Sequence, residues 1–207
     1  MIGKEYLRAP DNKPYNLSVS LGIFLQTPVL VPYEVDKLVF RSHLKHGFFI
    51  EAGANDAESD SDSLHFELNH GWSGLLVEPN PFLYRRALMK HRKATLINTC
   101  LSTEARPTFM AFDMSSNSLQ PKNTEGRIQC LPLYSILLAL GNPTVHYFSL
   151  DIEGAEFPVL KTIPWEKVDI QVKNLLPGHD LMFYSERTCL CEKNLYLCRF
   201  LVGIQSV

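Results

Sequence analysis

Residues 48–56, Phe48-Phe49-Ile50-Glu51-Ala52-Gly53-Ala54-Asn55-Asp56, read as a short apolar strand that stops at an acidic residue and passes into a glycine-containing loop. Gly53 has no side chain, so neighbouring backbone N–H groups can approach a ligand closely. A strand-to-helix turn can equally require that glycine for its own geometry, and this stretch alone leaves both readings open. An acidic, Ser-rich loop follows, then a helical pattern with Leu64 and Leu68 on one face and Gly71 as its stop. Gly74-Leu75-Leu76-Val77-Glu78 is a second buried strand. Asn80-Pro81 then supplies an N-cap and a first-turn proline, and Leu83, Ala87 and Leu88 form the apolar face of the next helix.

The alternation continues outward from this unit. Ala94–Leu101 reads as a third strand, Thr108–Asp113 and Arg127–Leu131 as an inserted hairpin or pair of edge strands, and Tyr134–Leu140 as a helix. His146–Leu150 is a fourth core strand ending at Asp151, and Gly154 opens a helix whose first turn accommodates Pro158. Upstream, residues 1–32 are proline-punctuated, after which Val35, Leu38, Val39 and Ser42 fall at helical spacing and Gly47 stops the run. Strands alternating with helices predict an α/β fold with a parallel sheet covered on both faces. Ligands then bind outside the carboxyl ends of the strands.

Composition narrows the function. With 11 Gly and 13 Pro in 207 residues, the chain is far from low-complexity sequence, and its length favours one domain with an extension. Lys+Arg number 20 against 22 Asp+Glu, a net charge of −2, which excludes the broad basic footprint of a nucleic-acid binder. The apolar stretch from Leu17 to Tyr33 is interrupted by Ser18, Ser20, Gln26, Thr27 and Pro28, so no membrane span is expected. Met1 to Asn16 carries Glu5 and Asp11 and does not read as a cleavable secretory signal. The 5 cysteines, an odd number, leave the redox compartment undecided. Asn16-Leu17-Ser18 is a glycosylation acceptor if the chain enters the secretory pathway.

Three acidic positions carry the candidate chemistry. Glu78 ends the second strand beside the first loop, where a carboxylate can accept both hydroxyl protons of a ribose, or can be a solvated strand end. A nicotinamide dinucleotide would need a G-x-G-x-x-G loop under its pyrophosphate. This loop instead holds Glu51, Asp56, Glu58, Asp60 and Asp62, a density of charge that disfavours pyrophosphate and suits a cationic cofactor such as S-adenosylmethionine. If the fourth strand persists past Leu150, Asp151 and Glu153 point to one side and can share a proton, position a hydroxyl or hold a divalent ion. Acidic residues here, Glu156 above all, can equally serve only to stabilise the following helix.

The ordered segments Phe48–Asp56, Gly71-Trp72-Ser73-Gly74-Leu75-Leu76-Val77-Glu78-Pro79-Asn80-Pro81 and Ser149-Leu150-Asp151-Ile152-Glu153-Gly154-Ala155-Glu156 resemble the signatures of FkbM-type S-adenosylmethionine-dependent methyltransferases. The resemblance spans roughly Phe48 to Asp169. Pro14-Tyr15-Asn16-Leu17 and Asn98-Thr99-Cys100-Leu101-Ser102 resemble its Star-like branch, which is associated with the endoplasmic reticulum, Golgi and cargo export. It implies a Rossmann-like class I methyltransferase three-layer sandwich with a mostly parallel sheet. It further implies that Glu51, Gly53, Ala54 and Asn55 surround the methionine part of the cofactor, that Glu78 holds the ribose, and that Cys100 and Leu101 flank the adenine. Asp151 and Glu153 would face the methyl group and an unknown acceptor, Asp151 orienting or deprotonating a hydroxyl if one is used, with no metal required. The competing reading keeps the fold without catalysis, as a secretory-pathway module binding cargo or a membrane protein; location would be endoplasmic reticulum or Golgi in that case and cytoplasmic otherwise.

Two departures accompany the resemblance. Ala57 stands where the family usually has glycine, a change the loop tolerates if φ there is negative. After Val168-Asp169-Ile170 the closing helix and strand pair are not legible, so the C-terminal strands are expected to be incomplete. The reading divides the chain into an N-terminal extension with a leading helix (1–47), the methyltransferase-like domain (48–170) and a divergent tail (171–207). In the tail, Cys189, Cys191 and Cys198 with His179 lack the spacing of a known zinc site and read as ordinary thiols. His65, His70 and His91 read as solvated or capping residues.

Overall fold

Each core strand alternates its side chains between two apolar clusters, and that alternation builds the layers. The computed structural model describes residues 6–18, 30–113, 118–120 and 127–175. The strands are β1 (Phe48–Ala52), β2 (Ser73–Val77), β3 (Thr95–Ile97), β4 (Cys100–Leu101), β5 (Thr108–Asp113), β6 (Ser118–Gln120), β7 (Arg127–Leu131), β8 (Val145–Leu150) and β9 (Ile170–Leu175). The helices are α1 (Leu30–Leu38), α2 (Leu64–His70), α3 (Pro81–Leu88), α4 (Leu133–Ala139) and α5 (Glu156–Lys161). Ile50, Leu75, Ile97 and Phe148 pack with Ile136 and Leu137 of α4 and Val159 of α5. Their strand neighbours Phe49, Leu76, Leu96 and Tyr147 pack with Val35 of α1, Phe66 of α2 and Ala87 of α3. The result is the expected three-layer α/β sandwich.

The main sheet is parallel, five-stranded and ordered β3-β2-β1-β8-β9. Strand order reverses between β1 and β8, so the ligand crevice of such a sheet lies at their carboxyl ends. The fifth strand, anticipated only around Val168-Asp169-Ile170, runs on to Leu175 in parallel register with β8. The closing elements anticipated after it fall in 176–207, outside the described residues.

A second, four-stranded sheet, β4-β7-β5-β6, follows the crossover from β3. The single strand anticipated over Ala94–Leu101 is split by Asn98 and Thr99. The Asn98 side-chain amide donates to the carbonyls of Glu78 at 2.7 Å and Pro79 at 3.1 Å, and Thr99 Oγ1 donates to the Gln129 carbonyl at 2.7 Å. These bonds turn the chain out of the main sheet and into the second. There Cys100 and Cys130, directly opposed on parallel strands, form a disulfide.

The leading helix also differs from its sequence pattern. It ends at Leu38, and Arg41 and Ser42 have φ of +52° and +53° in the turn that follows. Ser42 is held there by its N–H to the Asp36 carbonyl at 3.0 Å.

Candidate functional site

β1 ends at the point of strand reversal and delivers Gly53 against the loop that follows β8. A Cβ on Gly53 would stand 1.8 Å from the Asp151 carbonyl oxygen, and its φ is +87°. Contact between two backbones therefore demands the glycine. The loop's N–H groups are also engaged within the protein. Gly53 and Ala54 both donate to the Val77 carbonyl, at 3.0 and 3.1 Å, and Asn55 donates to Glu78 Oε2 at 2.7 Å. The geometric need for Gly53 is thus realised, and the residue also lines the cleft.

The condition under which the loop would tolerate Ala57 without strain is not met, because its φ is +62°. Its N–H reaches the Ala54 carbonyl at 2.8 Å, and its carbonyl accepts from Arg92 Nη1. These bonds hold an alanine where the backbone favours glycine.

Most of the acidic loop is neutralised internally, so its density of acidic residues does not by itself call for a cationic ligand. Arg92, only 1% exposed, pairs with Glu67 at 2.9 Å and donates to Ser61 at 3.2 Å and Ser63 at 2.9 Å. Ser61 and Ser63 donate in turn to Glu51 Oε2, and the Asp62 N–H donates to Glu51 Oε1 at 3.0 Å. Asp56 pairs with Arg86 at 3.1 Å, and Glu58 with Lys90. Burial pushes the Glu51 carboxyl up to about 7, against the opposing pull of Arg92. Glu51 thus braces the loop from beneath and does not line the cleft above it. Sequence gave no signal for Arg92, whose partners come from distant positions.

That cleft, about 700 Å³ including its open mouth, is lined by Gly53, Asn55, Val77, Glu78, Pro79, Leu83, Cys100, Leu101, Phe112, Asp151, Ile152 and Glu153. It brings together seven of the nine residues proposed from sequence; Glu51 and Ala54 are the two that do not line it. Among the described residues that line it, Glu78, Asp151 and Glu153 are acidic and none is basic. Glu78 bridges two loops, accepting from Asn55 N–H and, through Oε1, from Asn80 N–H at 2.8 Å. Burial raises its carboxyl to about 7 despite those bonds. Burial and then the charges of Glu153, Glu156 and Asp62 raise Asp151 to about 6.

The strand does not persist to Glu153, so Asp151 and Glu153 do not share a strand face. β8 stops at Leu150, and Glu153 and Gly154 turn the chain with φ of +56° and +97°. Glu156 plays the helix-end role: its Oε1 accepts from the N–H of Ile152 at 2.9 Å and of Gly154 at 3.2 Å. Cys100 stands in the wall as half of a disulfide. Phe112, which sequence did not single out, completes that wall from the second sheet.

The family model for the methyltransferase FkbM domain matches residues 51–195, about 70% of the chain. The chain belongs to the FkbM methyltransferase domain family. The FkbM match continues to residue 195, beyond the Phe48–Asp169 span over which the sequence resembles the family. No curated protein and no solved structure matches the chain.

Two histidines in the FkbM domain correct the sequence reading. His65 and His70 are neither solvated nor capping: they are 6% and 7% exposed, and each places Nε2 on Asp36 Oδ2, at 3.0 and 2.7 Å. His91 lies apart from them, its Nδ1 2.9 Å from the Pro14 carbonyl. Among the described residues, no helix is long and apolar enough to cross a membrane.

Proposed function

We propose that this FkbM domain binds S-adenosylmethionine in the cleft at the ends of β1, β2 and β8 and methylates a hydroxyl of an acceptor seated beside Asp151. The observation that carries this reading is the convergence on one cleft of residues from all three signature segments. Among the described residues, a lining with three carboxyl groups and no basic side chain favours a cationic ligand over a pyrophosphate. Glu78 has the capacity for the ribose, because two backbone N–H bonds leave further lone pairs on a carboxylate. Gly53 and Asn55 would border the methionine part, and Cys100 and Leu101 the adenine.

When bound, the donor supplies a methyl group on a sulfonium. Asp151, with its carboxyl raised to about 6, is ionised above that pH and can accept a hydroxyl proton. Glu153, exposed at the rim, would orient the acceptor. Backbone contact between Gly53 and Asp151 sets donor and acceptor loops side by side, and such alignment accounts for much of the rate in a displacement.

Calorimetric titration with S-adenosylmethionine tests the reading. Binding weakened at least tenfold by Glu78→Ala is expected, with Asp151→Asn retaining the donor. Absence of binding, or unchanged affinity in Glu78→Ala, would remove it.

The Cys100–Cys130 disulfide favours a second reading, a non-catalytic secretory-pathway module with cargo or membrane-protein partners, because such bonds persist in oxidising compartments. Mass analysis of cell-derived protein decides it. Glycan on Asn16 with an oxidised pair supports endoplasmic reticulum or Golgi residence, and an unmodified, reduced chain supports a cytoplasmic one.

A further inference from the structure

Asp36, His65 and His70 form a cluster at the opposite end of the sheet from the cleft. Asp36 lies on α1, His65 and His70 lie on α2, and the chain after His70 leads into the amino-terminal end of β2. The carboxylate and two imidazoles each offer a ligand atom, and these atoms lie within 4.8 Å of one another. All three residues are buried, Asp36 at 4% exposure.

The hydrogen bonding of Asp36 is one-sided. Oδ2 receives His65 Nε2 at 3.0 Å, His70 Nε2 at 2.7 Å and the Ser42 hydroxyl at 3.2 Å. Oδ1, equally buried, has no hydrogen-bond partner among the described residues. A buried carboxylate oxygen without a partner is costly, and an ion beside it would remove that cost. The two Nε2 to Oδ2 separations are a few tenths of an ångström shorter than the ~3.3 Å ligand spacing of a tetrahedral zinc ion with bonds of about 2.0–2.1 Å. Small rotations of three side chains suffice to admit one.

We propose that Asp36, His65 and His70 bind a divalent first-row cation, zinc by the softness of two imidazoles and one carboxylate, as a structural clasp between α1 and α2. The imidazoles ligate through Nε2, so each must carry its remaining proton on Nδ1. His65 Nδ1 lies 3.0 Å from the Asn69 amide, which can turn its oxygen inward to accept that proton. His70 Nδ1 lies 2.6 Å from Lys45 Nζ, which also reaches the Asn69 carbonyl at 3.1 Å. An ammonium there donates to Nδ1 and keeps the proton on Nε2, so Lys45 opposes the metal. Lys45 is exposed, so its side chain can swing into solvent as the ion enters.

The test uses the full chain with its free thiols alkylated, so that Cys189, Cys191 and Cys198 cannot ligate. Zinc and cobalt(II) are the probes. Expected are one equivalent bound, weak visible cobalt bands without thiolate charge-transfer absorption, and a Tm raised by roughly 5–10 °C with zinc a hundredfold above Kd. His70→Asn should abolish this rise, and Lys45→Gln should tighten binding severalfold. No binding by the alkylated chain overturns the proposal, as does binding retained in His70→Asn. If His70→Asn does not fold, Lys45→Gln still decides, and unchanged affinity there overturns it.

Discussion

Gly53 and Ala57 share one loop and one backbone sign, yet only the first has the residue its conformation favours. At Gly53 both the φ of +87° and the Asp151 carbonyl oppose a side chain. Gly53→Ala should therefore lose about 3 kcal/mol or more in urea unfolding. At Ala57 the φ of +62° is strained although the methyl is fully buried. Removing that methyl forfeits about 0.8 kcal/mol of burial, and greater freedom of the unfolded chain forfeits up to ~1 more. Relief of the left-handed strain returns about 1–2 kcal/mol. Ala57→Gly should accordingly stay within about 1 kcal/mol of the parent; a loss beyond ~2 kcal/mol would contradict the left-handed backbone at that position.

Among the elements, the second sheet tests how a wall of the cleft is held. Cys100 and Cys130 are 30 residues apart, and closing a loop of that length stabilises the folded state by about 3–4 kcal/mol in the chain-entropy view. Paired Cys100→Ser and Cys130→Ser substitutions should lower Tm and increase hydrogen exchange in β5 and β7, with exchange in β1 and β8 little changed. Uniform loosening of both sheets would show that the bridge supports the whole fold. Core strands such as Gly74–Glu78 and His146–Leu150 were legible in the sequence because apolar runs between turn signals report burial directly. The break at Asn98-Thr99 was not, since it depends on bonds to Glu78, Pro79 and Gln129 made only after folding. The cleft followed the motifs that name its loops, whereas Phe112, Arg92 and the Asp36–His65–His70 cluster depend on partners distant in the chain. Nothing local distinguishes a buried histidine from a solvated one.

Across the whole molecule, raised carboxyls give stability an unusual pH dependence. Glu51 and Glu78 rise from 4.5 to about 7, and Asp151 from 3.8 to about 6. Each holds its proton more tightly folded than unfolded. Its contribution is therefore fully present below the unfolded value and is lost as pH rises through the folded one. Asp56 has the opposite sign: burial raises it, but the N–H groups of Ser59 and Glu58 together with Lys90 lower it overall, so its contribution is lost as pH falls below 3.8. Urea midpoints should peak near pH 4–5, decline toward pH 7 and level off above it. Midpoints that rise across pH 5–7 would show that the buried carboxylates are better satisfied charged than protonated. The touching backbones at Gly53 and Asp151 have a separate consequence for how such a protein can diversify. Two loops in direct contact cannot drift independently, so a change of acceptor made by remodelling the β8 loop would dislocate the other loop as well. The β4–β7 sheet, joined to the main sheet by a two-residue crossover and braced internally by its own sulfur bridge, is the wall in which length and sequence can vary while that contact stays intact.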